Sequence, residues 1–209
     1  MSVGNMVKAK VRIRGTRALF CHWFGPDAIP LEKKEREGVA GNNPNEWRTT
    51  TLVTDEGQLF VTPPYIFGTL RNGAKHVKKG RGSLMSDVGA TLQVVDNVIL
   101  VDRWFVGYPN GHKFDIKSVD VPPVNAYSEL VYLDVRSAVN PSTKGRNVRY
   151  RIASSPGWAC EFTIEWDKTV VSRSQMESVL WNAGKLVGLG NARTIGMGRF
   201  DVESFEVQE

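Results

Sequence analysis

The residues of this chain best suited to chemistry lie near its C-terminal end. Gly188-Leu189-Gly190 is followed by five residues, Asn191 to Ile195, and then by Gly196-Met197-Gly198-Arg199-Phe200. Glycine at such density costs backbone entropy, and it is kept where a chain needs positive φ or where something approaches bare amides. Arg193 and Arg199 stand inside and directly after the cluster. Guanidinium forks beside main-chain N–H groups make a phosphate cradle, charge from the one and directed donors from the other.

Other reactive groups are sparse. The histidines His22, His76 and His112 are scattered and there is no Cys-x-x-Cys, so neither a metal site nor a cofactor is expected. Cys21 and Cys160 are each flanked by apolar or aromatic residues, the setting of buried, reduced thiols. Cations are plentiful and clustered. Lys8, Lys10, Arg12, Arg14 and Arg17 form one group, Arg71, Lys75, Lys78, Lys79 and Arg81 a second, and Lys144, Arg146, Arg149 and Arg151 a third. Such clusters favour a polyanionic partner, because each cation that meets a phosphate releases counterions. The plainer alternative is a solvated face that serves solubility.

These residues must be held by a folded scaffold. With 209 residues, 41% hydrophobic, 23% charged and a net charge of +5, the chain is expected to form a single cored domain over residues 1–209 with insertions at about 25–57 and 108–150. No run of about 18 apolar residues is present and Met1 to Met6 lacks an apolar signal core, so no membrane span or export is expected and a cytoplasmic location follows.

Val7, Ala9, Val11 and Ile13 alternate with Lys8, Lys10, Arg12 and Arg14, which predicts a strand with one buried and one basic face. Residues 25–57 are polar and rich in Gly, Asn and Pro, a long excursion with one or two helical turns. A strand over Gln58–Thr62 leads into Pro63-Pro64, a helix start. Ile66, Leu70, Ala74 and Val77 then give one apolar helical face over Tyr65–Lys79, with Arg71, Lys75, Lys78 and Lys79 opposite. Ala90–Val95 and Val98–Val106 read as a hairpin turning at Asp96-Asn97. Tyr127–Val135 and Arg149–Ile152 bracket a basic tip, Asn140 to Arg146, that projects. Ala159–Trp166 is a further strand. Ser172 and Gln175 have capping-box spacing at the start of a helix whose stripe is Met176, Val179, Leu180, Ala183 and Val187. Gly188 stops it, and a last strand covers Arg199–Val207. The order is α+β, a ferredoxin-like βαββαβ core with one extra strand or hairpin.

Two segments carry a resemblance. The run Gly188-x-Gly190-x5-Gly196-x-Gly198 before Arg-Phe resembles the C-terminal glycine-rich loop of the RAMP superfamily, the RRM-like proteins of CRISPR-Cas systems. Thr62-Pro63-Pro64-Tyr65-Ile66-Phe67-Gly68-Thr69-Leu70-Arg71 is similar to the signature that opens the first helix of the superfamily's crRNA-binding backbone subunits, keeping its terminal arginine and departing from its Ser-Ser-x-Lys-Gly run. The resemblance implies an RRM-like core with a long early loop and an inserted thumb-like β-hairpin. It also implies subunits that stack side by side along single-stranded RNA, or DNA, as a homo-oligomer or within a larger ribonucleoprotein complex.

On that basis Arg71, Lys75, Lys78, Lys79, Arg81, Lys144, Arg146, Gly188, Gly190, Arg193, Gly196, Gly198 and Arg199 are the expected nucleic-acid-binding residues. Two further function classes stay open. Some members of the superfamily are metal-independent endoribonucleases using a histidine, for which His76 and His22 are the candidates, and others cut target RNA with an aspartate on the early loop, where Asp27 is placed. The third class is a structural or phage accessory protein that keeps the fold without binding nucleic acid.

Overall fold

In the computed structural model the described residues are 4–23, 43–121, 129–139 and 145–208. The chain divides into two compact units, one of Met1–Leu19, Phe60–Asp102 and Pro156–Glu209, the other of Phe20–Leu59 and Arg103–Ser155. The two excursions read as insertions fall in the second unit.

The strands are β1 (Met6–Gly15), β2 (Leu19–Phe20), β3 (Gln58–Val61), β4 (Lys78–Lys79), β5 (Gly82–Ser83), β6 (Gln93–Val94), β7 (Ile99–Trp104), β8 (Val131–Val139), β9 (Arg146–Ser154), β10 (Ala159–Asp167) and β11 (Phe200–Gln208). The α-helices are α1 (Glu46–Thr50), α2 (Pro63–Ala74), α3 (Met85–Thr91) and α4 (Arg173–Asn182). The main sheet runs β11-β1-β10-β7-β3, with β6 also on β10. Taking β1, α2, β7, β10, α4 and β11 as the successive elements of a βαββαβ core, the order last-first-third-second is the ferredoxin-like arrangement. The fold is α+β and RRM-like.

The alternation in β1 does what period two requires. Ala9, Val11 and Ile13 are buried while Lys8, Lys10, Arg12 and Arg14 are exposed. β1 lies between β10 and β11, antiparallel to both. Ile164, Trp166, Met176, Val179, Leu180 and Phe200 complete the buried layer around it.

The helix α4 has the expected capping box. Gln175 N donates to Ser172 Oγ at 3.3 Å and Ser172 N to Gln175 Oε1 at 2.9 Å, which satisfies two amides that a helix start leaves open. α2 and α4 cross at Gly73. A Cβ there would stand 2.7 Å from both the Ala183 methyl and the Val179 carbonyl oxygen, so only a bare Cα permits this approach.

Two expectations are corrected. The helix over Tyr65–Lys79 ends at Ala74, and Lys78 and Lys79 instead pair with Ser83 and Gly82 in a small hairpin that turns at Gly80 with φ 57. The proposed hairpin at Asp96-Asn97 is absent as well. Leu84, Val88 and Leu92, four apart, are all buried and put Met85–Thr91 into α3, a helical period outweighing the local strand composition. β6 and β7 each pair with β10.

In the second unit β8 and β9 form the long antiparallel hairpin, in register from Val131↔Ser154 to Val139↔Arg146. Residues 140–144 of its basic tip lie outside the described residues. Midway along it Arg136 bonds the buried Asp134, and the Arg136 and Arg151 guanidinium carbons stand 4.8 Å and 5.9 Å from the Phe20 ring centroid. Burial lowers the Arg151 pKa from its ordinary value, with Asp134 acting against it. Both cysteines are free thiols, and burial pushes Cys21 up to about 12, which leaves it inert as a nucleophile. Among the described residues no helix is long and apolar enough to cross a membrane.

Candidate nucleic-acid interface

The glycine-rich loop begins where α4 loosens. Ala183–Val187 continues α4 as a π-helical turn, and Gly188 ends it at φ 87. Gly190, Gly196 and Gly198 also have positive φ, as does Ala192 at φ 57. Two glycines are dictated by chain packing on chain. A Cβ on Gly188 would lie 2.5 Å from the Met197 carbonyl oxygen, and one on Gly198 would overlap the backbone of Leu189. Gly196 is different, with nothing within 4 Å of its absent Cβ. It is an open place for close approach.

Several amides foreseen as phosphate donors are turned inward. Gly188 N donates to Ala183 O, Leu189 N to Gly198 O, Gly196 N to Arg193 O and Gly198 N to Ala18 O, at 2.8 to 3.0 Å. The loop is therefore a knot held by hydrogen bonds within itself and to Ala183 and Ala18 beside it. What it offers outward is a low backbone surface flanked by Arg193 and Arg199. Arg199 has Nη1 buried without a hydrogen-bond partner, and burial lowers its pKa from the ordinary value. A guanidinium N–H in that condition is costly to leave unmade.

The loop is fastened to α2. Thr69, 2% exposed, donates from Oγ1 to the Gly188 carbonyl oxygen at 3.2 Å. At 100° per residue, the buried face of α2 holds Ile66, Thr69, Leu70, Gly73 and Ala74, which leaves Pro64, Gly68, Arg71 and Lys75 along the outer face. Thr69 marks the margin of that face toward the loop. At the other margin the Arg71 side chain lies over α3, its Nε 3.2 Å from where a Gly89 Cβ would be. Arg71 and Lys75 thus stand on a strip between α3 and the glycine-rich loop, with a bare Cα at Gly68 and nothing within 4 Å of it.

Cations on this strip differ from those on β1. Lys10 pairs with Glu161 at 2.7 Å, and Arg12 and Arg14 both pair with Glu203. The register explains it: the β1 cations face β10 and β11, whose outward residues include Glu161, Glu165, Glu203 and Glu206. The Arg14 and Arg12 guanidiniums hold Glu203 below the usual carboxylate value. Three of the four cations of the basic column legible in the sequence are thus engaged by carboxylates of the neighbouring strands. By contrast, Arg71, Lys75, Lys78, Arg81, Arg193 and Arg199 have no carboxylate partner among the described residues. Lys79 does, at 2.7 Å from Asp87.

The remaining candidates fall elsewhere. Arg146 is at the described end of β9 and exposed, whereas Lys144 and Asp27 lie outside the described residues. His76 is exposed just past α2 in the first unit. His22, in the second unit, has a pKa lowered by burial, raised in part by Glu46 and lowered further by Arg151 and Arg149. Thr69 was missed by sequence reasoning. The one hint available was a hydroxyl on the apolar side of an amphipathic helix, where a buried donor needs a partner.

No protein-family model and no curated protein matches the sequence. Among solved structures, a chain of the type III-B Cmr-beta complex bound to cognate target RNA aligns with a TM-score of 0.52 at 12% identity, over 98% of this chain and 61% of that one. A chain of a type IV-B CRISPR complex aligns with a TM-score of 0.44 at 12% identity, over 95% and 90%. The chain spans about three-fifths of the length of the first of these. In fold, the chain is similar to that chain of the type III-B Cmr-beta complex.

Proposed function

We propose that this chain binds single-stranded nucleic acid, RNA in the first place, along the outer face of α2 and the glycine-rich loop. It acts as a backbone subunit, copies assembling side by side along the strand within a ribonucleoprotein complex. The observation that carries this reading is the division of the cations. On β1, Lys10 is matched by Glu161 and Arg12 and Arg14 by Glu203, while Arg71, Lys75, Lys78, Arg81, Arg193 and Arg199 are left for an outside anion. A continuous backbone suits them better than a small anion, because the strip runs the length of a helix and ends in a low glycine surface. Arg146, at the described end of β9, and Lys144 are read as further contacts of the same kind.

The likeness to a chain from an RNA-bound complex supports RNA as the first partner to test. Binding of homopolymer RNA and DNA of increasing length is measured at low salt, with micrographs of the longest complexes. The reading expects affinity to grow with length, RNA at least equal to DNA, and ordered arrays on long strands. Absence of binding at low salt would overturn it.

A further inference from the structure

β11 is an edge of the main sheet, nine residues long, with β1 as its one strand partner among the described residues. An open edge of that length offers a row of N–H and C=O groups to another strand, and proteins commonly guard such edges with charged side chains. Here the guards are drawn back onto the protein's own cations, Asp201 onto Lys185 and Glu203 onto Arg12 and Arg14.

Pairing with β1 steps from Arg12↔Ser204 to Ile13↔Val202, so Glu203 is the extra residue of a bulge. Beyond it Ser204–Gln208 is regular. Phe205 and Val207 lie opposite Val11 and Ala9, which are fully buried, yet both are themselves only half-buried. The Phe205 ring stacks on the buried Trp166 with centroids 6.0 Å apart. The apolar layer beneath the sheet therefore ends in a half-covered ledge directly beside an open backbone edge.

We infer that β11 pairs antiparallel with β11 of a second copy about a twofold axis at Phe205, joining two main sheets into one. The strand fits its own slot, because Phe205 and Val207 alternate with Ser204 and Glu206 as a half-buried added strand requires. Centring on Phe205 sets ring against ring and places Ser204 opposite Glu206 of the second copy. Centring on Glu206 would instead oppose two carboxylates. Such an isologous contact closes at two copies. It uses neither α2 nor the glycine-rich loop, so it stands apart from the nucleic-acid reading.

Sedimentation equilibrium of nuclease-treated protein at micromolar concentration tests it. The wild-type chain is expected to be a dimer. Phe205→Lys, which sets two ammonium groups against each other at the axis, is expected to be monomeric with unchanged far-ultraviolet circular dichroism. A monomeric wild type, or a Phe205→Lys variant that dimerises as well, would overturn the proposal. A second measurement is independent of stability. Directly opposed residues of an antiparallel pair are about 4.5–5.5 Å apart at Cα, within disulfide reach. The double variant Ser204→Cys with Glu206→Cys should therefore give a covalent dimer on oxidation, and Ser204→Cys alone should not. A double variant that cross-links no more than the single one contradicts the pairing.

Discussion

Thr69 Oγ1 on α2 donates a 3.2 Å hydrogen bond to the carbonyl of Gly188, 119 residues away in sequence. It ties the first core helix to the start of the glycine-rich loop, and so ties the cations of one to those of the other. Thr69→Val keeps the shape and removes the donor, leaving a buried carbonyl unmet. The expected loss is about 1–2 kcal/mol in denaturant unfolding, with weaker binding of single-stranded RNA as the loop loosens.

The glycines of the loop should separate by substitution. Gly198→Ala drives a methyl into the Leu189 backbone and should be among the most damaging single changes in the chain. Gly196→Ala meets open space and bears only the strain of φ 84, about 1 kcal/mol. Thermal melts of the two variants decide it. Equal losses would mean that the loop is not the packed knot described.

His22 gives a pH dependence. Burial holds its folded pKa below the ordinary 6.5, with Glu46, Arg149 and Arg151 around it. The unfolded chain then binds the proton more readily, so stability is full above about pH 6.5 and falls as pH drops through and below that value. His22→Gln should flatten the pH profile of the urea midpoint between pH 7 and pH 5. A profile unchanged by the substitution would remove His22 as its source.

Much of the first unit is legible in the residues themselves. The β1 alternation, the Ser172–Gln175 box, the Pro63-Pro64 start and the stop at Gly188 are local signals, each read within one turn or one pleat. What escapes is set by partners distant in sequence. Nothing near Arg12 or Arg14 announces Glu203, yet that carboxylate engages both guanidiniums of a column that looked like a binding face. The same holds for Gly188 and Gly198, whose bareness serves the backbone of Met197 and of Leu189 and not a ligand. Lys78 and Lys79 continued a helical charge pattern, but Gly80 and Gly82 turned them into a hairpin. Ala90 and Thr91 show how a local strand composition yields to Leu84, Val88 and Leu92 buried at helical spacing, while Gln93–Val94 keeps its strand.

The central claim is that nucleic acid lies on the unpaired cations of α2 and not on the paired cations of β1. Its most direct test is the salt dependence of single-stranded RNA binding for two double variants, Arg71→Gln with Lys75→Gln and Arg12→Gln with Arg14→Gln. Each phosphate contact on a single strand contributes about 0.7 to the slope of log affinity against log salt. The α2 pair should flatten the slope by about 1.4 and the β1 pair should leave it unchanged. A slope flattened by the β1 variant and untouched by the α2 variant would contradict the account.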